Sequence, residues 1–351
     1  MKGQIALLPG DGIGPEIIAE AEKILRRVAK VFGHHFGFRT APIGGVAIDE
    51  TGDPLPTETL DICRASDAVL LGAVGGPKWD GAGPRPEAGL LELRRELKLY
   101  ANLRPVRGWA GLESASPLKA ERMRSVDLLF VRELTGGVYF GEPRVEGDER
   151  ALDTMVYTEP EVRRIVRKAC ELARLRKKRV TSIDKANVLA SMRLWRRVAT
   201  DEAARHEGIV LDHQLVDSAA MRLVTDPASF DVLVAPNLFG DVLSDEGAAI
   251  TGTLGLLPSA SLGDGGPGVY EPIHGSAPDI AGQGKANPAA TILSVAMMMR
   301  YAFDRQREAD LIEAAVAETL REGVRTPDLG GDATTSQMGD AIDERLAKLA
   351  G

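Results

Sequence analysis

The stretch Asn237-Leu238-Phe239-Gly240-Asp241-Val242-Leu243-Ser244-Asp245-Glu246 sets two carboxylates, Asp241 and Asp245, four residues apart. On a helix that spacing puts both on one face. Two bare carboxylates there repel each other unless a cation lies between them. Oxygen-only ligands suit a hard ion, Mg²⁺ or Mn²⁺, and not zinc. The plainer alternative is a pair of solvated acids near a helix N-terminus, where the dipole favours them. Just upstream, Asp231-Val232-Leu233-Val234-Ala235 reads as a short buried strand. Gly240 reads as a turn and the residues after it as a helix start. An apolar strand leading into clustered acids is where α/β proteins place ligands. A third acid, Asp217, follows the strand-like residues 210–216.

Other groups sit at element ends. Lys185 closes the strand-like residues 180–185, where burial beside acids would tune it for base chemistry. Arg94, Arg104 and Arg132 each lie at or near an element end. Singly they read as surface arginines, but converging they would match a polycarboxylate, because guanidinium groups pair bidentately with carboxylates. The loop at residues 271–282 offers backbone N–H groups, Ser276, His274 and Asp279 among small residues, a pattern suited to close ligand approach. The turn Gly10-Asp11-Gly12-Ile13-Gly14-Pro15 lacks the G-x-G-x-x-G spacing of a dinucleotide fingerprint. It reads equally as a tight strand-to-helix connection.

These groups need a scaffold. The chain has 351 residues, enough for two ordinary domains, and alternates apolar runs with amphipathic stretches in the α/β manner. Strands are expected at residues 5–8, 68–74 and 127–133, and helices at about 15–32, after residue 86 and at 161–178. Residues 102–105 read as a loop. Residues 133–158 read as a long hairpin-like excursion with strand character again at 155–158. Residues 288–299 read as a buried helix with Asn287 as N-cap and Pro288 at the first helical position. Amphipathic helices follow at 310–323 and 340–349. The net charge of −8 argues against nucleic-acid or acidic-membrane partners. No apolar stretch is long enough to span a bilayer, and residues 1–9 carry too short an apolar run for a secretory signal. Two isolated cysteines, Cys63 and Cys170, fit a reducing, cytoplasmic compartment.

Several motifs together resemble one family. They are the Gly10–Glu16 turn, Gly89-Leu90-Leu91-x-Leu93-Arg94, Ala101-Asn102-Leu103-Arg104-Pro105, Arg132-Glu133-Leu134-Thr135-Gly136-Gly137-Val138-Tyr139, Asp184-Lys185-Ala186-Asn187-Val188, the acidic stretch and the His274 loop. The chain is similar, over essentially its whole length, to the β-decarboxylating dehydrogenases of isocitrate and isopropylmalate. The resemblance implies a two-domain α/β fold with a shared large mixed sheet, not a Rossmann fold. The first, cofactor-side domain would be residues 1–100 plus 252–351. The second, 101–251, would carry an arm at about 133–158 and pair with its twin in a homodimer.

The resemblance also implies roles. The activity would be NAD-dependent oxidative decarboxylation of a malate with an apolar 3-substituent, a step of leucine biosynthesis. Arg94, Arg104 and Arg132 would hold its carboxylates, with Asp217 close by. Leu90, Leu91 and Val188 would line the apolar wall. Asp217, Asp241 and Asp245 would hold Mg²⁺ or Mn²⁺. Lys185 would take the hydroxyl proton and Tyr139 would protonate carbon. Glu87, His274, Gly275, Ser276, Ala277, Asp279 and Asn287 would contact NAD. Lys185 and Asp217 would come from the partner subunit, so the active site is shared. Within the family, homoisocitrate, isocitrate or tartrate are the rival substrates, but each lacks the isopropyl group that an apolar wall would select. Outside it, the rival is a metabolite-binding module without catalysis, against which Lys185, Tyr139 and the three acids stand.

Overall fold

Ten strands carry the architecture: β1 (Lys2–Gly10), β2 (His35–Thr40), β3 (Ala68–Ala73), β4 (Ala101–Arg107), β5 (Asp127–Glu133), β6 (Arg179–Asp184), β7 (Val210–Leu215), β8 (Val232–Ala235), β9 (Pro258–Leu262) and β10 (Gly268–Pro272). The computed structural model describes residues 1–81, 83–113, 115–123 and 125–351. The chain divides into two compact units. One comprises Met1–Leu99, Trp109–Ala115 and Gly252–Gly351, and the other Tyr100–Gly108 and Ser116–Thr251.

In the first unit the strand order is β2-β1-β3-β10-β9, parallel except for the antiparallel β10–β9 pair. Every residue of β3 is buried, as a central strand covered on both faces requires. The helix Gly14–Phe32 buries Ile17, Ala21, Ile24, Leu25 and Val28, a stripe at helical spacing, and stops at Gly33 in the left-handed region. The helix Ala289–Tyr301 is buried from residue 289 to 299 and forms the unit's apolar centre. Its start differs from the sequence reading by one position. Pro288 occupies the cap, and the Asn287 side chain accepts from the Ala289 N–H at 3.0 Å. Asparagine still satisfies a free N–H of the first turn, from one residue further back. The helices Gln306–Arg321 and Thr335–Ala350 complete this unit, the latter opened by a Thr334–Gln337 capping box.

In the second unit the order is β4-β5-β8-β6-β7, with β4 antiparallel to β5 and the others parallel. Residues 102–105, expected as a loop, lie inside β4, with Asn102 opposite Arg132 and Pro105 opposite Leu129. Ala101, Leu103 and Val106 are fully buried. The intervening Asn, Arg and Pro resemble loop composition, and so concealed the strand. The excursion at 133–158 is held by two isolated antiparallel bridges, Gly137 to Val156 and Val145 to Leu152. No strand forms at 155–158: the outgoing leg opposite is interrupted by Gly136, Gly137, Gly141 and Pro143, and Val145 and Val156 remain exposed. The next helix is Glu159–Arg174, shifted toward the N-terminus from the expected 161–178. Glu161 is its third residue and reaches back to Thr158 in a capping box.

The helix Asn237–Thr251 starts three residues before Gly240, so Gly240 is helical and makes no turn. A Cβ at this position would stand 2.9 Å from Arg132 Cγ and 3.0 Å from Arg132 Cβ. Glycine is there for close packing against the arginine, not for chain reversal.

Candidate active site

Asn102 and Arg104 are two apart on β4, and Arg132 lies opposite Asn102 on β5, so the three share one face of the antiparallel pair. The helix Asn237–Thr251 packs on both strands and brings its acids to that face. Arg104 Nε donates to Asn102 Oδ1 at 2.7 Å, and its Nη1 donates to Ser244 Oγ at 2.8 Å and Asp245 Oδ1 at 3.2 Å. Arg132 Nη1 donates to Asp241 Oδ1. Tyr139 donates from its hydroxyl to Asp241 Oδ2 at 2.9 Å. Both arginines are buried, and Asp241 is within ion-pair distance of each.

The electrostatics follow from this crowding. Desolvation, with the Asp241 charge and hydrogen bond, pushes the Tyr139 phenol above its ordinary value, against the opposing pull of Arg132 and Arg104. Tyr139 therefore keeps its proton and can donate it. Asp245 keeps an exposed edge, yet the surrounding protein and the Asp241 charge raise its carboxyl, while Arg104 and Arg132 lower it. The two acids share a face on which two buried guanidinium groups balance their charge. The acids' donor atoms are all oxygens, the set a hard divalent ion takes.

Lys185 follows the end of β6, and Asp217 lies in the first turn of the helix Val216–Thr225. Lys185 Nζ donates to Asp217 Oδ2 at 2.8 Å, and this bond holds the carboxyl below the usual range. The turn bearing the lysine is fixed by Asp184, which accepts from Ala186 N–H and from Arg196 Nε and Nη2. Among the described residues neither Lys185 nor Asp217 pairs with Asp241 or Asp245, and no three His, Cys, Asp or Glu side chains gather as a metal site within the single chain.

In the first unit, Arg94 Nη2 donates to Glu271 at 2.7 Å, and its buried Nε has no hydrogen-bond partner. Leu90 and Leu91 lie half-buried on the same helix, Pro86–Glu96, which begins beside Glu87. The loop after β10 is tied to the Gly10–Gly14 turn. Ile13 N–H donates to Ser276 O at 2.9 Å, and a Cβ on Gly12, whose φ is +57°, would lie 2.0 Å from that oxygen. Ser276 Oγ donates to Gly75 O at 2.8 Å. Asp11 is buried and accepts from the N–H groups of Gly45, Val46 and Gly75. The glycine turn is thus a backbone junction that shapes the loop.

His274 donates from Nδ1 to Gly275 O at 3.0 Å, which leaves Nε2 as an acceptor, buried and unpartnered. Desolvation holds its pKa below the ordinary value, so the ring is neutral. Ala277 adopts a positive φ, and Gly275 and Asp279 are exposed at the loop's rim. Asn287 Nδ2 donates to Asp328 at 3.0 Å. An orphaned acceptor, an exposed carboxylate on the same loop and an uncrowded Gly275 fit a ligand carrying amino and hydroxyl donors, as a nucleotide does.

Of the sequence candidates, Arg104, Arg132, Tyr139, Asp241 and Asp245 come together in the second unit. Arg94 pairs within the first unit. Val188 is exposed. Sequence reasoning missed Asn102, Ser244 and Glu271, the partners of the arginines. Asn102 at two residues before Arg104, and Ser244 at three after Asp241, were the available signals once the strand and helix were placed.

The model of the isocitrate/isopropylmalate dehydrogenase family matches residues 4–342. A 3-isopropylmalate dehydrogenase of Shouchella clausii (strain KSM-K16) is 57% identical over 99% of this chain and 98% of that protein. One from Aquifex aeolicus (strain VF5) is 53% identical over 99% and 98%. Among solved structures, isocitrate dehydrogenase from Methylococcus capsulatus superposes with a TM-score of 0.87 at 38% identity, covering 98% of this chain and 99% of that one.

Proposed function

The chain belongs to the isocitrate/isopropylmalate dehydrogenase family, and we propose that it catalyses NAD-dependent oxidative decarboxylation of (2R,3S)-3-isopropylmalate to 4-methyl-2-oxopentanoate and CO₂ in leucine biosynthesis. The observation that carries the choice within the family is the full-length identity of more than half to 3-isopropylmalate dehydrogenases, against 38% to the isocitrate enzyme.

Arg104 and Arg132 bind the substrate carboxylates, with the unpartnered Nε of Arg94 as a third donor site. Lys185 accepts the 2-hydroxyl proton as the neutral amine, and Asp217, 2.8 Å from its Nζ, pairs with the ammonium that this transfer forms. Tyr139, kept protonated, delivers a proton to the substrate carbon after CO₂ leaves. Asp241 and Asp245, completed by Asp217 of a second copy, would hold Mg²⁺ or Mn²⁺. When bound, that ion makes the hydroxyl more acidic and stabilises charge developing on oxygen, while NAD⁺ accepts the hydride. The half-buried Leu90 and Leu91, with Val188, suit an isopropyl group. His274, Gly275, Ser276, Ala277, Asp279, Asn287 and Glu87 are assigned to NAD⁺. The Asp279 carboxylate accepts from ribose hydroxyls and repels a 2′-phosphate.

A homodimer is supported by two observations. Met221, Val224 and Val242 are exposed apolar residues on the neighbouring helices Val216–Thr225 and Asn237–Thr251. The single chain also keeps Lys185 and Asp217 out of contact with the other acids. Both cysteines are free and buried, which supports a cytoplasmic location. Among the described residues no helix is long and apolar enough to cross a membrane.

The test is a turnover panel of 3-isopropylmalate, isocitrate, homoisocitrate and tartrate, each with NAD⁺ and NADP⁺. The highest kcat/KM is expected for 3-isopropylmalate with NAD⁺. A higher value for another acid, or for NADP⁺, overturns the assignment.

A further inference from the structure

Asn237 opens the helix Asn237–Thr251 and is only 1% exposed. Its Oδ1 accepts from Arg132 Nε at 3.1 Å and from Arg132 Nη2 at 2.8 Å. Its Nδ2 donates to Gly136 O at 3.2 Å, and its backbone N–H donates to the Tyr157 hydroxyl at 2.8 Å. This set of partners fixes which end of the amide faces the arginine. Gly136 and Tyr157 stand on the outgoing and returning legs of the excursion at 133–158. The legs are joined there by Gly137 N–H to Val156 O at 2.9 Å. They are close enough that a Cβ on Gly136 would lie 2.9 Å from the Tyr157 ring, and one on Gly137 2.5 Å from its hydroxyl. Asn237 therefore sits between the base of the arm and Arg132.

One acceptor shared by Nε and Nη2 fixes the plane of the guanidinium and turns Nη1 toward Asp241. A long arginine side chain held this way loses its rotamer freedom before any ligand binds. We propose that Asn237 is a positioning residue for the reaction. It orients Arg132 toward the substrate carboxylate and couples that orientation to the fold of the arm base. The inference rests on the reading of Arg132 as a carboxylate-binding group in the proposed reaction.

A buried asparagine with only a structural role would lower stability and act on all substrates alike. The proposal instead demands that its effect run through Arg132, and a double-mutant cycle separates the two. Asn237→Ala is made in the wild-type and Arg132→Lys backgrounds. Lysine keeps a charge but has no Nε–Nη2 fork to engage Oδ1. Kinetics are measured alongside calorimetric binding of 3-isopropylmalate. In the wild-type background, Asn237→Ala is expected to raise the KM and Kd for 3-isopropylmalate about tenfold, with the KM for NAD⁺ within about twofold, the factor of a lost charge-assisted contact. In the Arg132→Lys background the further change is expected to stay within about twofold. Equal losses in both backgrounds overturn the proposal. If Asn237→Ala does not fold, the neutral Asn237→Ser, whose shorter hydroxyl does not span both Nε and Nη2, replaces it in the same cycle. The malate KM should again rise in the wild-type background while the KM for NAD⁺ does not, and equal losses in both backgrounds again refute the coupling. Wild-type turnover in the same assay tests the underlying reading separately. No wild-type turnover overturns that reading and this inference together, whereas turnover with additive losses overturns this inference alone.

Discussion

Gly240→Ala tests whether a glycine inside a helix is retained for the site. At an unconstrained helix interior, replacing glycine by alanine stabilises by about 1 kcal/mol. Here the new methyl would meet Arg132 Cγ at 2.9 Å, Arg132 Cβ at 3.0 Å and Ala235 Cβ at 3.3 Å. Ala235 is in a fully buried strand and cannot retreat, and the Arg132 guanidinium is held by Asn237 and Asp241. Overpacking of this kind costs about 1–3 kcal/mol, so the net destabilisation is about 0–2 kcal/mol after the helix gain. The contacted atoms are the stem of Arg132, so the displacement should reach its guanidinium. Each 1.4 kcal/mol of lost carboxylate contact corresponds to about tenfold in affinity. The assay pairs urea unfolding, at one fixed protein concentration because an assembled dimer makes stability concentration-dependent, with steady-state kinetics. The expected outcome is an unchanged or lowered urea midpoint and a KM for 3-isopropylmalate raised at least several-fold, with the KM for NAD⁺ unchanged. A midpoint raised by the full helix-propensity gain, with an unaltered substrate KM, would refute the close-packing argument.

Asp241→Asn should abolish turnover while leaving the circular dichroism spectrum intact, because a hard ion loses one charged ligand, and excess chelator should do the same to the wild type. Full activity in chelator would contradict this. Mixing inactive Lys185→Ala and Asp241→Asn proteins should restore activity, because each hybrid dimer has one site with both residues normal. With random exchange, recovery should approach about a quarter of the wild-type value, and a dead mixture after verified exchange would place each site within one chain. His274 is held below its ordinary pKa by desolvation, so the unfolded chain takes up this proton first as pH falls. Its contribution to stability is constant above about pH 6.5 and is lost as pH drops from there toward the folded value. His274→Gln should show a smaller fall in urea midpoint between about pH 7.5 and pH 5.5 than the wild type, and an equal fall would contradict the burial of the neutral ring.

The readable parts of this chain were those with a strong period or a strong local signal. β3 and β8 are continuous apolar runs, and the helix Gly14–Phe32 is a plain amphipathic stripe closed by glycine. The pairing of Asp241 with Asp245 followed from helical spacing alone, and their face is the one that meets Arg104 and Arg132. β4 was hidden because its polar residues are buried by partners far along the chain: Arg104 by Ser244 and Asp245, 140 and 141 residues away. Gly240 was misread because glycine signals a turn from sequence, whereas the requirement here is the stem of an arginine 108 positions earlier in the chain. The same limit applies to Asn237. Nothing local shows that its amide faces Arg132 on one side and the arm on the other.

The central claim is oxidation coupled to loss of CO₂, and product stoichiometry tests it most directly. Purified protein with Mg²⁺, NAD⁺ and a limiting amount of 3-isopropylmalate should yield NADH, CO₂ and 4-methyl-2-oxopentanoate in equal amounts, each matching the substrate consumed. NADH formed without CO₂, or no NADH from 3-isopropylmalate at all, would contradict the account.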